Sequence, residues 1–108
     1  YVDFDDTIFL DTKINSNLMG LLFSFINENK KIYLITKHDG DLTKTLKKYR
    51  ILNIFDKIIH IKKNEDKSKY ITHKDAIFID DSFSELKNIK EKLNIPVFSP
   101  NNIEALIN

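Results

Sequence analysis

The sequence contains no cysteine and no tryptophan, only two glycines and two prolines, and a charge excess of just +1. Without cysteine there can be no disulfide, thiol nucleophile or zinc-thiolate centre, and the composition fits a reducing cytoplasm, where the protein is expected. Gly20 and Gly40 are too few and too far apart for a P-loop or a G-x-G-x-x-G dinucleotide fingerprint, so phosphate chemistry here cannot rest on a glycine-rich cradle. The near balance of 17 basic and 16 acidic residues gives no support for a nucleic-acid or membrane-surface partner. No run of about 18 apolar residues occurs, so no membrane span is expected. At 108 residues, 42% hydrophobic and 31% charged, the chain reads as one globular domain, 1–108, with one core.

What is present begins at once. Tyr1-Val2-Asp3-Phe4-Asp5-Asp6-Thr7 reads as the end of an apolar strand running into carboxylates and closed by a threonine. Three acids within four positions repel one another, which favours a cation among them. Side chains alternate along a strand, so Asp3 and Asp5 point the same way if the strand persists, and a turn after Asp5 brings its carbonyl to the same spot. Only two residues precede Asp3, fewer than a buried strand uses, so residues upstream of Tyr1 are expected to be missing. The spacing D-x-D-x-T recurs at Asp39-Gly40-Asp41-Leu42-Thr43, but there it precedes a helical pattern, and both aspartates read as helix-start residues.

Along the chain, Ile8–Ile14 has no helical period and reads as a loop or small flap. Leu18, Leu21, Leu22, Phe25 and Ile26 then recur at helical spacing after Asn15 or Ser16 as a start signal. A buried strand follows over 31–36, a second helix through Leu42, Leu46 and Tyr49, and a strand over 57–61. A short helix is expected near 69–72 and a strand over 76–79 that stops abruptly at Asp80-Asp81-Ser82. Phe83, Leu86, Ile89 and Leu93 mark a third helix. Residues 95–98 read as an edge strand, and Ser99-Pro100 as the start of a last helix with Ile103, Leu106 and Ile107. The lysine clusters (Lys44, Lys47 and Lys48; Lys62, Lys63, Lys67 and Lys69) read mostly as solvated faces.

Strands that alternate with helices predict an α/β fold, a three-layer Rossmann-like parallel sheet of about five strands with helices on both faces. Ligands of such sheets collect at the carboxyl ends of the strands. Asp3 and Asp5, Thr36, and Asp80 and Asp81 fall at three such ends. Carboxylates from two ends suit Mg²⁺, which takes oxygen ligands and few protein contacts. A threonine hydroxyl and a lysine complete the charge neutralisation that phosphoryl transfer asks for, with one aspartate free to attack phosphorus and another to serve as acid and base.

These residues give the chain a resemblance to the haloacid dehalogenase (HAD) superfamily, over nearly its whole length and in family order. Asp3-Phe4-Asp5-Asp6-Thr7 is similar to the first motif, which implies Asp3 as nucleophile and Asp5 as acid/base with its main-chain oxygen on the metal. Thr36 resembles the phosphate-binding hydroxyl of the second motif, and Lys67, with Lys69 next, the lysine of the third. Ile79-Asp80-Asp81-Ser82 resembles the acidic fourth motif, which implies Asp81 and Asp80 on Mg²⁺ and Glu85 as a further acid. Thr7 lies where it can touch substrate or support the site, and His38, just past Thr36, either touches substrate or, as is commoner for a loop histidine, has no catalytic part. The resemblance further implies strand order 5-4-1-2-3. The 28 residues between Thr7 and Thr36 leave no room for the inserted cap domain of many relatives. The implied activity is an open-site, Mg²⁺-dependent phosphatase. Its substrate would be a phosphorylated macromolecule, or a small sugar-like phosphate if a second copy or partner subunit closes the site. The stretch Phe78–Glu85 is similar to small bacterial domains associated with surface-polysaccharide or ligase pathways, which favours the small substrate.

Two other readings compete. A silent module that keeps the metal site and serves a partner enzyme has the same residues. A response-regulator receiver places its acidic pair early and its lysine last, whereas Asp80 and Asp81 here follow Lys67.

Overall fold

The computed structural model describes residues 1–106. A tight turn through Phe4–Thr7 leads into a hairpin of β1 (Phe9–Leu10) and β2 (Lys13–Ile14), paired Phe9 with Ile14 and Leu10 with Lys13. The expected flap is therefore a hairpin. Asp11 makes its turn possible by adopting φ 59°, a conformation short polar residues tolerate.

Helix α1 (Ser16–Asn27) starts at Asn15, whose side-chain oxygen accepts from the Leu18 amide at 3.2 Å, and buries Leu18, Met19, Leu21 and Leu22. Helix α2 (Leu42–Lys48), between β3 (Tyr33–Thr36) and β4 (Lys57–His60), is capped by Asp41 and buries Leu42 and Leu46. Asp39 caps nothing. Lys47 and Lys48 lie in the last turn of α2, where cations complement the dipole. A 3₁₀ turn, Lys67–Tyr70, precedes β5 (Phe78–Ile79), α3 (Phe83–Leu93) and β6 (Val97–Phe98). Ser82 caps α3, with Glu85 in its first turn, Lys90 and Lys92 in its last, and Asn94 left-handed beyond it. The last helix is a 3₁₀ segment, Ile103–Leu106, and Ile107 lies outside the described residues.

The expected five-stranded Rossmann-like sheet in the order 5-4-1-2-3 is corrected by the strand pairing. Among the described residues the strands form three two-stranded sheets: the β1–β2 hairpin and the parallel pairs β3–β4 and β5–β6. The opening segment contributes no strand. Val2 makes isolated parallel bridges to Leu34 on one side and Ile79 on the other, and Asp5 makes one to Phe9. The physical reason is local: directly after Val2 and the Asp3 amide the chain leaves its neighbours for the acidic turn, so no ladder continues past them. Likewise Ala76 and Ile77 stay outside β5, and Ile95 and Pro96 outside β6, where proline has no amide to donate.

Val2 nevertheless fixes the site. Its amide donates to Tyr33 O and its carbonyl accepts from Ile35, both at 2.9 Å, while the Asp3 amide donates to Ile79 O at 2.9 Å. Side chains of β3 and β5 alternate between two apolar clusters. Leu34 and Ile79 pack with Val2, Phe4 and the α1 and α2 leucines, whereas Ile35 and Phe78 pack with Ile59, Ile89 and Ile95. This double burial holds the three chain segments rigidly side by side, with Asp3, Thr36 and Asp80 at adjacent ends.

Candidate active site

At those ends lies a shallow cleft of about 360 Å³, lined among others by Asp3, Asp5, Thr36, Lys67, Asp80, Asp81 and Glu85. Seven residues singled out from sequence thus meet in one place. Lys67 is 3% exposed, and its ammonium donates to Asp3 Oδ1 at 3.0 Å and Asp80 Oδ2 at 2.7 Å. It is no surface lysine. Lys69 is exposed and does not line the cleft, so of the two lysines only Lys67 reaches the aspartates.

Thr7 is fully buried behind the carboxylates. Its hydroxyl lies 3.3 Å from Asp3 Oδ2 and 3.2 Å from Asp81 Oδ1, and it accepts from the Asp81 amide at 3.1 Å. One hydroxyl hydrogen is thus shared between two carboxylates, tying the first segment to the loop after β5. Asp80 is fixed further by the Ser82 amide, 3.0 Å from its Oδ1. Thr36 is fully buried, with its Oγ1 accepting from the His38 amide at 3.1 Å.

Asp5 stands apart from the other acids. Both its oxygens lie 2.9 Å from Nδ1 of His38, whose ring meets Phe4 edge-on with centroids 5.3 Å apart. His38 does not line the cleft and so acts, if at all, through Asp5.

Sequence reasoning missed Lys37 and Asp66. Lys37 lines the cleft with its ammonium 3.6 Å from Glu85 Oε2, the same distance as Lys67, yet that oxygen has no hydrogen-bond partner. Its adjacency to Thr36 was the available signal. Asp66 caps the 3₁₀ turn that carries Lys67, accepting from Ser68 N at 2.9 Å and Asn88 Nδ2 at 2.8 Å and pairing with Lys92. Those last two partners belong to α3, so Asp66 fastens the lysine-bearing turn to the helix that follows the acidic pair. The Lys92 bond first, then those from Ser68 and Asn88, hold its carboxyl well below the usual range.

The electrostatics express one ammonium serving two buried acids. Burial first, then the charge of Asp80, pushes the Asp3 carboxyl up to about 7 against the pull of Lys67. Burial alone would lower the Lys67 ammonium, but the combined charges and hydrogen bonds of Asp3 and Asp80 raise it. Asp81 is raised by burial and by its bond to and repulsion from Asp80. Six carboxyl side chains and two lysines line the cleft, so acidic groups there outnumber the cations the protein supplies.

One carboxylate oxygen each from Asp3, Asp80 and Asp81 lies within 4.8 Å of the others. Acidic groups also gather on protein surfaces without ions. Here, however, Asp3 and Asp80 are buried, the donors are all oxygen, and the excess charge is of the sign a cation offsets. The residues fit Mg²⁺. The Asp5 carboxylate is not one of the three, being turned to His38.

No protein-family model and no curated protein matches the sequence. A solved crystal structure of an uncharacterized protein from Corynebacterium glutamicum is similar, with a TM-score of 0.72, 13% identity, and coverage of 96% of this chain and 85% of that one. At that identity the likeness concerns the fold alone. No helix among the described residues is long and apolar enough to cross a membrane.

Proposed function

We propose that the protein is an Mg²⁺-dependent phosphohydrolase of the HAD type, cleaving a phosphomonoester through an aspartyl-phosphate on Asp3. The observation that carries this reading is the gathering of Asp3, Asp80 and Asp81 within 4.8 Å, beside buried Lys67 and Thr36, in an open cleft. Mg²⁺ held by those aspartates, with Asp5 contributing as the family resemblance implies, would supply charge neutralisation for the phosphoryl oxygens.

The chain's own groups then divide the work. Thr36 and Lys67 bind and orient the phosphoryl group. An Asp3 oxygen forms a bond to phosphorus while the ester P–O bond breaks; the leaving oxygen keeps that electron pair and takes a proton from the Asp5 carboxyl. In the second half Asp5, now a carboxylate, takes a proton from water as the water oxygen bonds to phosphorus. The Asp3–phosphorus bond breaks, freeing the Asp3 carboxylate and inorganic phosphate. Thr7 keeps Asp3 and Asp81 in register throughout.

An open cleft suits a phosphorylated macromolecule, or a small sugar-like phosphate enclosed by a second copy or partner subunit, and we place the reaction in the cytoplasm. The test is phosphate release from a panel of phosphorylated metabolites and phosphopeptides, with Mg²⁺ and with EDTA. Release from at least one compound, dependent on Mg²⁺, is expected. Mg²⁺ binding without any turnover would overturn the enzyme reading in favour of a regulatory module.

A further inference from the structure

We infer that His38 is the positioning residue for Asp5, holding the carboxyl that the proposed reaction uses to protonate the leaving group; this inference rests on that phosphatase reading. A nitrogen–oxygen contact of 2.9 Å requires one hydrogen between the two atoms, carried by either Nδ1 or the carboxyl. Nδ1 is equidistant from both Asp5 oxygens, at 2.9 Å each, so the contact fixes the plane of the carboxyl as well as its distance.

The histidine is itself anchored from every side. Its amide donates to Thr36 Oγ1 at 3.1 Å, and its carbonyl lies 2.6 Å from Nε2 of His60 at the end of β4. Its ring is held edge-on by Phe4, its side chain is 14% exposed, and the turn closes at Gly40 with φ 115°. A mobile surface histidine would have none of these restraints. Because the ring does not line the cleft, its influence passes through Asp5 rather than through substrate contact. The same anchoring links Asp5 to Thr36, so the acid/base and the phosphate-binding hydroxyl keep a fixed separation.

Loss of a positioned acid matters in proportion to how badly the leaving oxygen needs a proton. His38→Ala should therefore lower kcat on an alkyl phosphate about 100-fold, the lower end for general acid catalysis, and on p-nitrophenyl phosphate less than about 10-fold, with KM little changed. His38→Asn, whose side-chain amide can bond to a carboxylate from nearly the same place, should recover a large part of the loss. Equal losses on both esters, a change confined to KM, or no rescue by asparagine would overturn the inference. Imidazole nitrogen spectra of the protein provide a readout independent of turnover: the His38 Nδ1 resonance should shift on Asp5→Ala, and an unchanged resonance would refute the contact. Failure of every ester to react, with that shift present, would remove the phosphatase reading and the catalytic part of the inference while leaving the dyad.

Discussion

Asp3→Asn is expected to abolish phosphate release and, in the metal-free protein at neutral pH, to raise stability. Removing the nucleophile should lower kcat by about 10⁴-fold or more, because the remaining groups act with it as a unit. The gain in stability follows from the crowding of acids at the site. Asp3 and Asp80 are both buried and share the Lys67 ammonium, and the Asp3 carboxyl is pushed from 3.8 up to about 7. An acid that binds its proton more tightly in the folded chain favours folding while the proton stays on. That contribution is complete below 3.8 and is lost as pH rises through about 7.

At about 1.4 kcal/mol per tenfold change in proton affinity, the slope is worth up to roughly 4 kcal/mol. Asparagine carries no such charge and leaves Lys67 to Asp80 alone, so the variant should be more stable than the parent by about 1–3 kcal/mol at neutral pH. Denaturant midpoints at several pH values in EDTA are the check. The parent should weaken between mildly acidic and neutral pH and the variant much less. Parallel curves would refute the shared-ammonium account.

Lys67→Met is expected to be the most damaging single change to the fold. Deleting one partner of a buried ion pair costs about 3–5 kcal/mol because the other charge is stranded, and here two acids, Asp3 and Asp80, lose their common cation. Phosphate release should fall by about 10²–10³-fold, the usual cost of one preorganised donor. Lys69→Met is the control. Lys69 is exposed and outside the cleft, so its effect should stay within about 0.5 kcal/mol. Combining Asp3→Asn with Lys67→Met should restore part of the lost stability, since one stranded charge has gone. Equal destabilisation by the two lysine variants would contradict the assignment of Lys67.

The constellation of polar residues at the cleft was more legible in the sequence than the sheet was. Asp3, Thr36 and Asp80, with Asp81 next to it, follow apolar residues, and an apolar run that stops at a polar residue marks the end of a buried segment whatever the extent of its hydrogen-bond ladder. Hence the cleft gathers them although Val2 forms bridges and not a strand. Ladder length is less visible, because it depends on which neighbours supply backbone partners. The β1–β2 hairpin escaped for a related reason: strands of two residues are too short for alternation to register.

Side-chain partnerships were the least visible. Nothing in the spacing tells that the Asp5 carboxylate turns to His38 instead of joining Asp3, Asp80 and Asp81. Lys37 and Asp66 were hidden by abundance, as two among many charged residues, and only packing separates a buried or bridging charge from a solvated one.

The central claim is that Asp3 carries the phosphoryl group. It is tested most directly by quenching the Mg²⁺-loaded protein in acid during turnover, reducing any acyl phosphate with borohydride, and locating the modified residue by peptide mass spectrometry. The prediction is modification at Asp3 that disappears when EDTA replaces Mg²⁺. Phosphate release with Asp3 untouched, or with the label on another residue, would contradict it.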